Sequence, residues 1–126
     1  MREFEMREFE SGATRDDDTN KLDYARGLSP IVLKRYMEYL RKHRKQADGK
    51  LRDYDNWKKC IPVPVYQASL LRHVMDLWLN LDGYTSEQAA QDSLCAILFN
   101  ATGLLHEMLK ADGTSECVSS WTDEQN

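Results

Sequence analysis

A chain of 126 residues, 30% charged and 10% aromatic, with a formal net charge of −4, has the size and composition of one ordinary globular domain. Its longest apolar segments are interrupted by Arg72, His73 and Asp76 or by Gln91 and Asp92, which excludes a membrane span. The acid-bearing opening MREFEMREFE excludes a signal peptide and reads as a short duplication, an alternative start or a cloning scar, outside the fold.

Cys60, Cys95 and Cys117 are odd in number and far apart, with no C-x-x-C. Neither a disulfide framework nor a structural zinc site is therefore expected, and the cytoplasm, that of a host cell if a phage encodes the chain, is the expected location.

In chain order, residues 1–28 form a polar segment without amphipathic period, expected to be extended and partly disordered. The helical domain is expected over residues 29–111. Ser29 suits an N-cap and Pro30 a first helical position, and Val32, Leu33, Tyr36, Met37 and Leu40 keep the spacing of one buried face. Arg41, Lys42, Arg44 and Lys45 fill the expected last turn, where cations favour the negative end of the helix dipole, and ADGK ends it.

The basic run continues beyond that helix. Between Lys34 and Lys59 stand ten Lys and Arg against four Asp and Glu, a balance of +6 in a chain of −4. Such a run is either a solvated helix face or a local seat for an anion. Residues 52–64 are expected to be an ordered loop, because Pro62 and Pro64 restrict it and forbid a regular helix until Pro64 enters a first turn.

A second helix is expected from about Val65 to Leu79 or Asn80. Gly83 of LDGY is suited to a left-handed cap, and Thr85 with Gln88 has the spacing of a capping box for a third helix reaching about Lys110. The tail 112–126 is expected to be flexible. No strand alternation is evident, so the fold class is all-α, a small bundle of about three main helices completed by oligomerisation.

On the second helix Ser69, Arg72, His73, Asp76 and Asn80 fall on one narrow polar stripe of an otherwise apolar cylinder. The third helix carries a matching line of Asp92, Ala96, Asn100, Gly103 and Glu107, beside a face of Leu94, Ile97, Leu98, Ala101, Leu105 and Met108. A short turn makes the pair antiparallel and sets Asp76 level with Glu87 or Asp92. Inward carboxylates and a His on antiparallel helices suit a divalent metal, Mg²⁺ above all, because Mg²⁺ takes oxygen ligands and keeps waters. The competing reading is two wet faces of amphipathic helices.

Trp57 beside Lys58 and Lys59 suits either base stacking with phosphate contacts or simple anchoring of the loop. His43 in its basic run is expected to be solvated, and His106 to lie on a helix surface or interface.

The stretches GATRDDDTNKLDY, LSPIVLKRYMEYLRKHR, DNWKKCIPVPVYQASLLRHVMDLWL and LCAILFNATGLLHEML resemble the phage-encoded family described as the dATP/dGTP diphosphohydrolase N-terminal domain. That family is similar in kind to the all-α MazG-like nucleotide pyrophosphohydrolases. The resemblance covers roughly residues 12–110. The chain differs in carrying Cys60 where many relatives have glycine, in having Ala89 and Asp92 where other branches have H-x-x-H, and in lacking an E-x-x-E pair.

The resemblance implies Mg²⁺-dependent hydrolysis, with Mn²⁺ as a substitute, of a purine deoxynucleoside triphosphate to monophosphate and pyrophosphate, or nucleotide binding by a weakened relative. His73, Asp76 and Asp92 are then the catalytic candidates, and Asp76, Glu87 and Asp92 the metal-side candidates. Lys21, Lys58, Lys59 and Arg72 would meet phosphates, and Asn56 and Trp57 the base or sugar. The rival reading is a non-catalytic phage interaction protein that occupies a host or defence factor. Nucleic-acid binding through residues 41–59 is disfavoured by the negative total charge and the absence of a recognised module. Apolar residues around most of the second helix predict a homo-oligomer through helices two and three.

Overall fold

The computed structural model describes residues 6–17 and 19–111, so the start of the duplication and the tail 112–126 lie outside the described residues. Helices dominate, with one small sheet beside them. The chain divides into two compact units, the boundary falling between Ile31 and Val32.

The first unit corrects the expectation of a strandless segment. Strands β1 (Met6–Glu8) and β2 (Thr14–Asp16) form an antiparallel hairpin pairing Met6 with Asp16 and Glu8 with Thr14. Its turn is closed by Phe9 N–H donating to Ala13 O at 2.9 Å, and Gly12 takes φ 88°, where a side chain would be strained. Backbone pairing and a glycine hold this hairpin, so hydrophobic alternation could not announce it. A single-turn helix α1 (Tyr24–Gly27) follows, capped by Asp23, whose Oδ1 accepts from Arg26 N–H at 3.0 Å.

Helix α2 (Pro30–Lys42), most of which belongs to the second unit, starts at the proline as expected but stops before the basic run is complete. The chain turns back on itself at Gly49 (φ 84°), with Gln46 N–H donating to Lys50 O at 2.8 Å and Arg52 N–H to Arg44 O at 2.6 Å. Of the run expected to finish the helix, Arg41 and Lys42 do fill its last turn, whereas Arg44 and Lys45 belong to this hairpin turn. A 3₁₀ turn (Asn56–Lys59) follows and ends at Cys60 with φ 67° and ψ 64°. This left-handed backbone is one that glycine adopts most easily, and here a cysteine takes it. Cys95 is a buried free thiol.

Helix α3 (Val63–Leu79) begins two residues earlier than expected, because Pro62 serves as N-cap and Pro64 fits the first turn, where no N–H donor is needed. A wide turn (Asn80–Tyr84) with Gly83 at φ 89° leads to α4 (Glu87–Ala111). The cap of α4 is Ser86, whose Oγ accepts from Ala89 N–H at 3.2 Å, and not Thr85, whose hydroxyl pairs with the Asn80 side chain instead. The Asn80 amide also lies 2.6 Å from Ser93 Oγ, tying the turn to α4. Among the described residues no helix is long and apolar enough to cross a membrane.

The α3–α4 hairpin packs in the opposite sense from the amphipathic expectation. Ser93, Ala96, Asn100, Gly103 and Glu107 of α4 are buried, while Leu94, Leu105 and Met108 are 48%, 54% and 42% exposed. Small residues decide this. A Cβ on Gly103 would fall 2.4 Å from Tyr66 Cε1 and Cζ, so only glycine lets the Tyr66 ring lie against the helix backbone. Tyr66, 1% exposed, fills the contact. The line of α4 residues that reads as its wet side is therefore its packing seam, and its leucine face is left to solvent in a single chain.

Candidate functional site

Every fourth or third residue of α2 from Tyr36 to His43 faces a trough made of three cavities that share walls. The first, about 360 Å³, is apolar and aromatic, bounded by Tyr36, Leu40, Trp57, Phe99 and His106. The second, about 160 Å³, shares Leu40 and Phe99 and adds His43, Arg44, Arg52 and Asn56, with Asp53 as its one carboxylate. The third, about 220 Å³, shares Tyr39 and His43 with the second and reaches Lys42, His73, Asp76 and Asp92. The linings of these adjoining cavities pass from aromatic, through mainly cationic, to carboxylate and imidazole.

Local chemistry fixes each wall. Trp57 is held on the 3₁₀ turn with its ring edge-on to His106 at 4.7 Å between centroids, and Lys58 Nζ lies 5.4 Å from the Trp57 ring centre. Arg44 donates through Nε to Arg52 O at 2.7 Å, and its guanidinium lies over the Tyr54 ring at 4.5 Å. Those contacts orient the planar fork without neutralising it, which leaves a fixed cation for an incoming anion. Burial, and then Lys42, push the His43 imidazole below its ordinary range. Burial raises the Tyr36 and Tyr39 hydroxyls, keeping them neutral donors.

At the third cavity, His73 Nδ1 stands 3.5 Å from Asp76 Oδ2, one helical turn away. Asp92 comes across from α4, with Oδ1 2.7 Å from Arg35 Nη2 and Oδ2 3.8 Å from Lys42 Nζ. Arg35 also donates through Nε to Gln91 at 2.9 Å, so α2 and the start of α4 are fastened by one guanidinium. Its hydrogen bond to Asp92 raises the Arg35 pKa.

The sequence-predicted site residues distribute unevenly over this trough. His73, Asp76 and Asp92 converge on one cavity, and Asn56 and Trp57 line the other two. Trp57 therefore lines a different cavity from the His73 stripe. Glu87 opens α4 and lines none of these cavities. Lys58 and Lys59 are exposed and pair with Asp55 at 3.9 Å and Asp53 at 3.4 Å. Arg72 lies exposed on α3 outside the trough, and Lys21 belongs to the other unit.

Sequence reasoning missed Arg35, Arg44 and Arg52 as site residues, whereas His43 is exposed and His106 half-buried on α4, as expected. The available signal was the spacing of Tyr36, Tyr39 and Leu40 on α2 with His43 just beyond its end, which puts an imidazole in line with the helix's half-buried side.

Among the described residues no three His, Cys, Asp or Glu side chains stand close enough to hold a metal ion between them. Mg²⁺ asks for less, because it keeps waters and is commonly held by one or two carboxylates plus substrate phosphates. Asp76, 57% exposed, and Asp92 on the same cavity supply that pair. The donor set fits an ion arriving with a phosphate ligand. Comparison with protein families, with curated proteins and with solved structures gives no match to this chain.

Proposed function

We propose that the trough binds a purine deoxynucleoside triphosphate and that the protein hydrolyses it to the monophosphate and pyrophosphate. The single observation that carries this reading is the set of linings on three adjoining cavities, aromatic, cationic, and carboxylate with imidazole, which suit a base, its phosphates, and the metal and water that attack them. The choice of a purine deoxynucleotide comes from the family resemblance.

In this reading the base enters the slot between Tyr36 and Trp57, where stacking is worth about 1–3 kcal/mol per base. Asn56 stands at the junction to offer an amide to sugar or base. Arg44 and Arg52 face the phosphates, where charge-assisted hydrogen bonds are about twice as strong as neutral ones. A bound Mg²⁺ held by Asp76 and Asp92 would neutralise phosphate charge and polarise the α-phosphorus.

His73, oriented through Nδ1 by Asp76, presents Nε2 to a water at the α-phosphate and takes its proton as the oxygen attacks. The bond from the α-phosphorus to the bridging oxygen then breaks, and pyrophosphate leaves with that electron pair. Lys42 stands at the same cavity to meet the charge that develops.

Titrating each deoxynucleoside triphosphate calorimetrically with Mg²⁺ or Mn²⁺, and measuring pyrophosphate release in parallel, tests the proposal. A purine nucleotide is expected to bind and to yield equal amounts of monophosphate and pyrophosphate. Asp76→Asn is expected to abolish release with the helical circular dichroism unchanged. The exposed leucine faces of α3 and α4 favour a second reading, a non-catalytic helical interaction protein. A folded protein that binds no nucleotide would decide for it.

A further inference from the structure

We propose that α3 pairs antiparallel with α3 of a second copy of this chain, and that Arg72 of each copy thereby enters the carboxylate cavity of the other. Leu71, Met75, Trp78 and Leu79 are 58%, 52%, 60% and 50% exposed. Their spacing places them on one stripe of α3, turned away from the Tyr66 and His73 side that meets α4. Scattered exposed leucines are ordinary, but four large apolar side chains in a continuous stripe mark an association face.

Charge identifies the occupant. Arg72 and Asp76 are one turn apart on the same edge of that stripe, and both are exposed. Arg72 makes no ion pair among the described residues. A two-fold axis perpendicular to two antiparallel helices brings the same edge of each together in reversed order. With the axis level with Val74, Arg72 of one copy meets Asp76 of the other, twice over. A parallel pair would put these edges on opposite sides and leave all four charges unmatched. A second copy is therefore the partner this face complements.

The pairing also explains the misplaced arginine. Within its own chain Arg72 lines no part of the trough, whereas Asp76 borders the cavity that holds His73 and Asp92. The antiparallel register delivers a guanidinium to that cavity from outside, at the end where the phosphates are placed. This second half rests on the nucleotide reading; the dimer itself does not.

Charge reversal in the full chain tests both halves. Sedimentation equilibrium without nucleotide is expected to give a dimer for the wild type. Arg72→Glu and Asp76→Arg, singly, are expected to raise the dimer dissociation constant by about tenfold or more, each setting like charges face to face at two places. The double variant, and an equimolar mixture of the two singles, are expected to recover the dimer. Unchanged helical circular dichroism excludes unfolding as the cause.

In the mixed dimer one cavity keeps Asp76 and receives a wild-type Arg72, so nucleotide binding is expected to return at one site per dimer, whereas neither single variant binds. A monomeric wild type at about 100 μM, well above the micromolar range of ordinary specific association, would overturn the proposal, as would single variants that dimerise as tightly as wild type. A mixture that recovers the dimer but binds no nucleotide, while wild type does, would overturn the role of Arg72 in the partner's cavity. Failure of the wild type to bind nucleotide at all overturns the functional reading, and the dimer is then judged by mass alone.

Discussion

Gly103→Ala adds a single methyl group to the most closely packed point of the α3–α4 seam. In an unencumbered helix interior the change stabilises, by about 1 kcal/mol, because alanine loses less backbone entropy than glycine. Here the new Cβ would lie 2.4 Å from two Tyr66 ring atoms and 2.6 Å from its hydroxyl oxygen, well inside contact distance. The ring cannot swing away freely, since Tyr66 is 1% exposed. Overpacking of this kind costs about 1–3 kcal/mol, and so deep an overlap belongs at the upper end.

The net effect is a loss of about 2 kcal/mol, or a melting temperature lowered by about 8 °C at roughly 4 °C per kcal/mol for a chain of this size. Thermal unfolding followed by circular dichroism measures it. The control is the same substitution made on a Tyr66→Leu background, where the ring is gone and helix propensity alone acts, so that Ala at 103 should leave stability unchanged or raise it by about 1 kcal/mol. A Gly103→Ala protein that melts higher than the wild type would refute the close helix approach, and with it the seam of small residues.

Three further outcomes test the trough. Replacing Arg44 or Arg52 with Ala should weaken triphosphate binding by about 10–100-fold each, from the loss of a charge-assisted hydrogen bond worth about 1.5–3 kcal/mol, while Lys59→Ala, outside the cavities, should change it little; calorimetry distinguishes them. Trp57→Ala should cost about 1–3 kcal/mol of nucleotide affinity, with a smaller effect on thermal stability, and a protein that melts instead marks Trp57 as an anchor.

The remaining outcome is a pH dependence. The folded His43 pKa is lowered, chiefly by burial, so below about 6.5 the unfolded chain takes up a proton that the folded chain resists, and stability falls as pH drops through that window. A bound triphosphate reverses this preference, so binding should tighten from pH 7.5 to 6 with net proton uptake, measurable from the buffer dependence of the calorimetric enthalpy. His43→Gln should flatten both trends.

Much of the helical order is written in local chemistry. Ser29 and Pro30 open α2, Pro64 fits only a first turn of α3, and Gly83 takes the left-handed conformation between α3 and α4. The convergence of His73, Asp76 and Asp92 was legible as well, because helical spacing and a short antiparallel connection fix heights and faces together. Trp57 and Asn56 could be named as candidates, but the cavity each one joins could not. The β-hairpin of the first unit and the turn at Gly49 rest on backbone pairing, which leaves no hydrophobic period to read.

By itself the sequence determined which segments are helical and which side chains share a face, since these depend on neighbours within a few positions. Only the tertiary structure decided which face of α4 turns inward. Leu94, Leu105 and Met108 carry the larger apolar surface, yet Ala96 and Gly103 form the seam, because close approach of two backbones needs small side chains and the Tyr66 ring then fills the gap. The tertiary structure likewise decided that Arg44 and Arg52, eight residues apart across a turn, are neighbours, while Lys58 and Lys59 pair with Asp55 and Asp53 and line none of the cavities. Charge count along a chain is one-dimensional, whereas the position of a cation relative to a cavity depends on how the turns fold back in space.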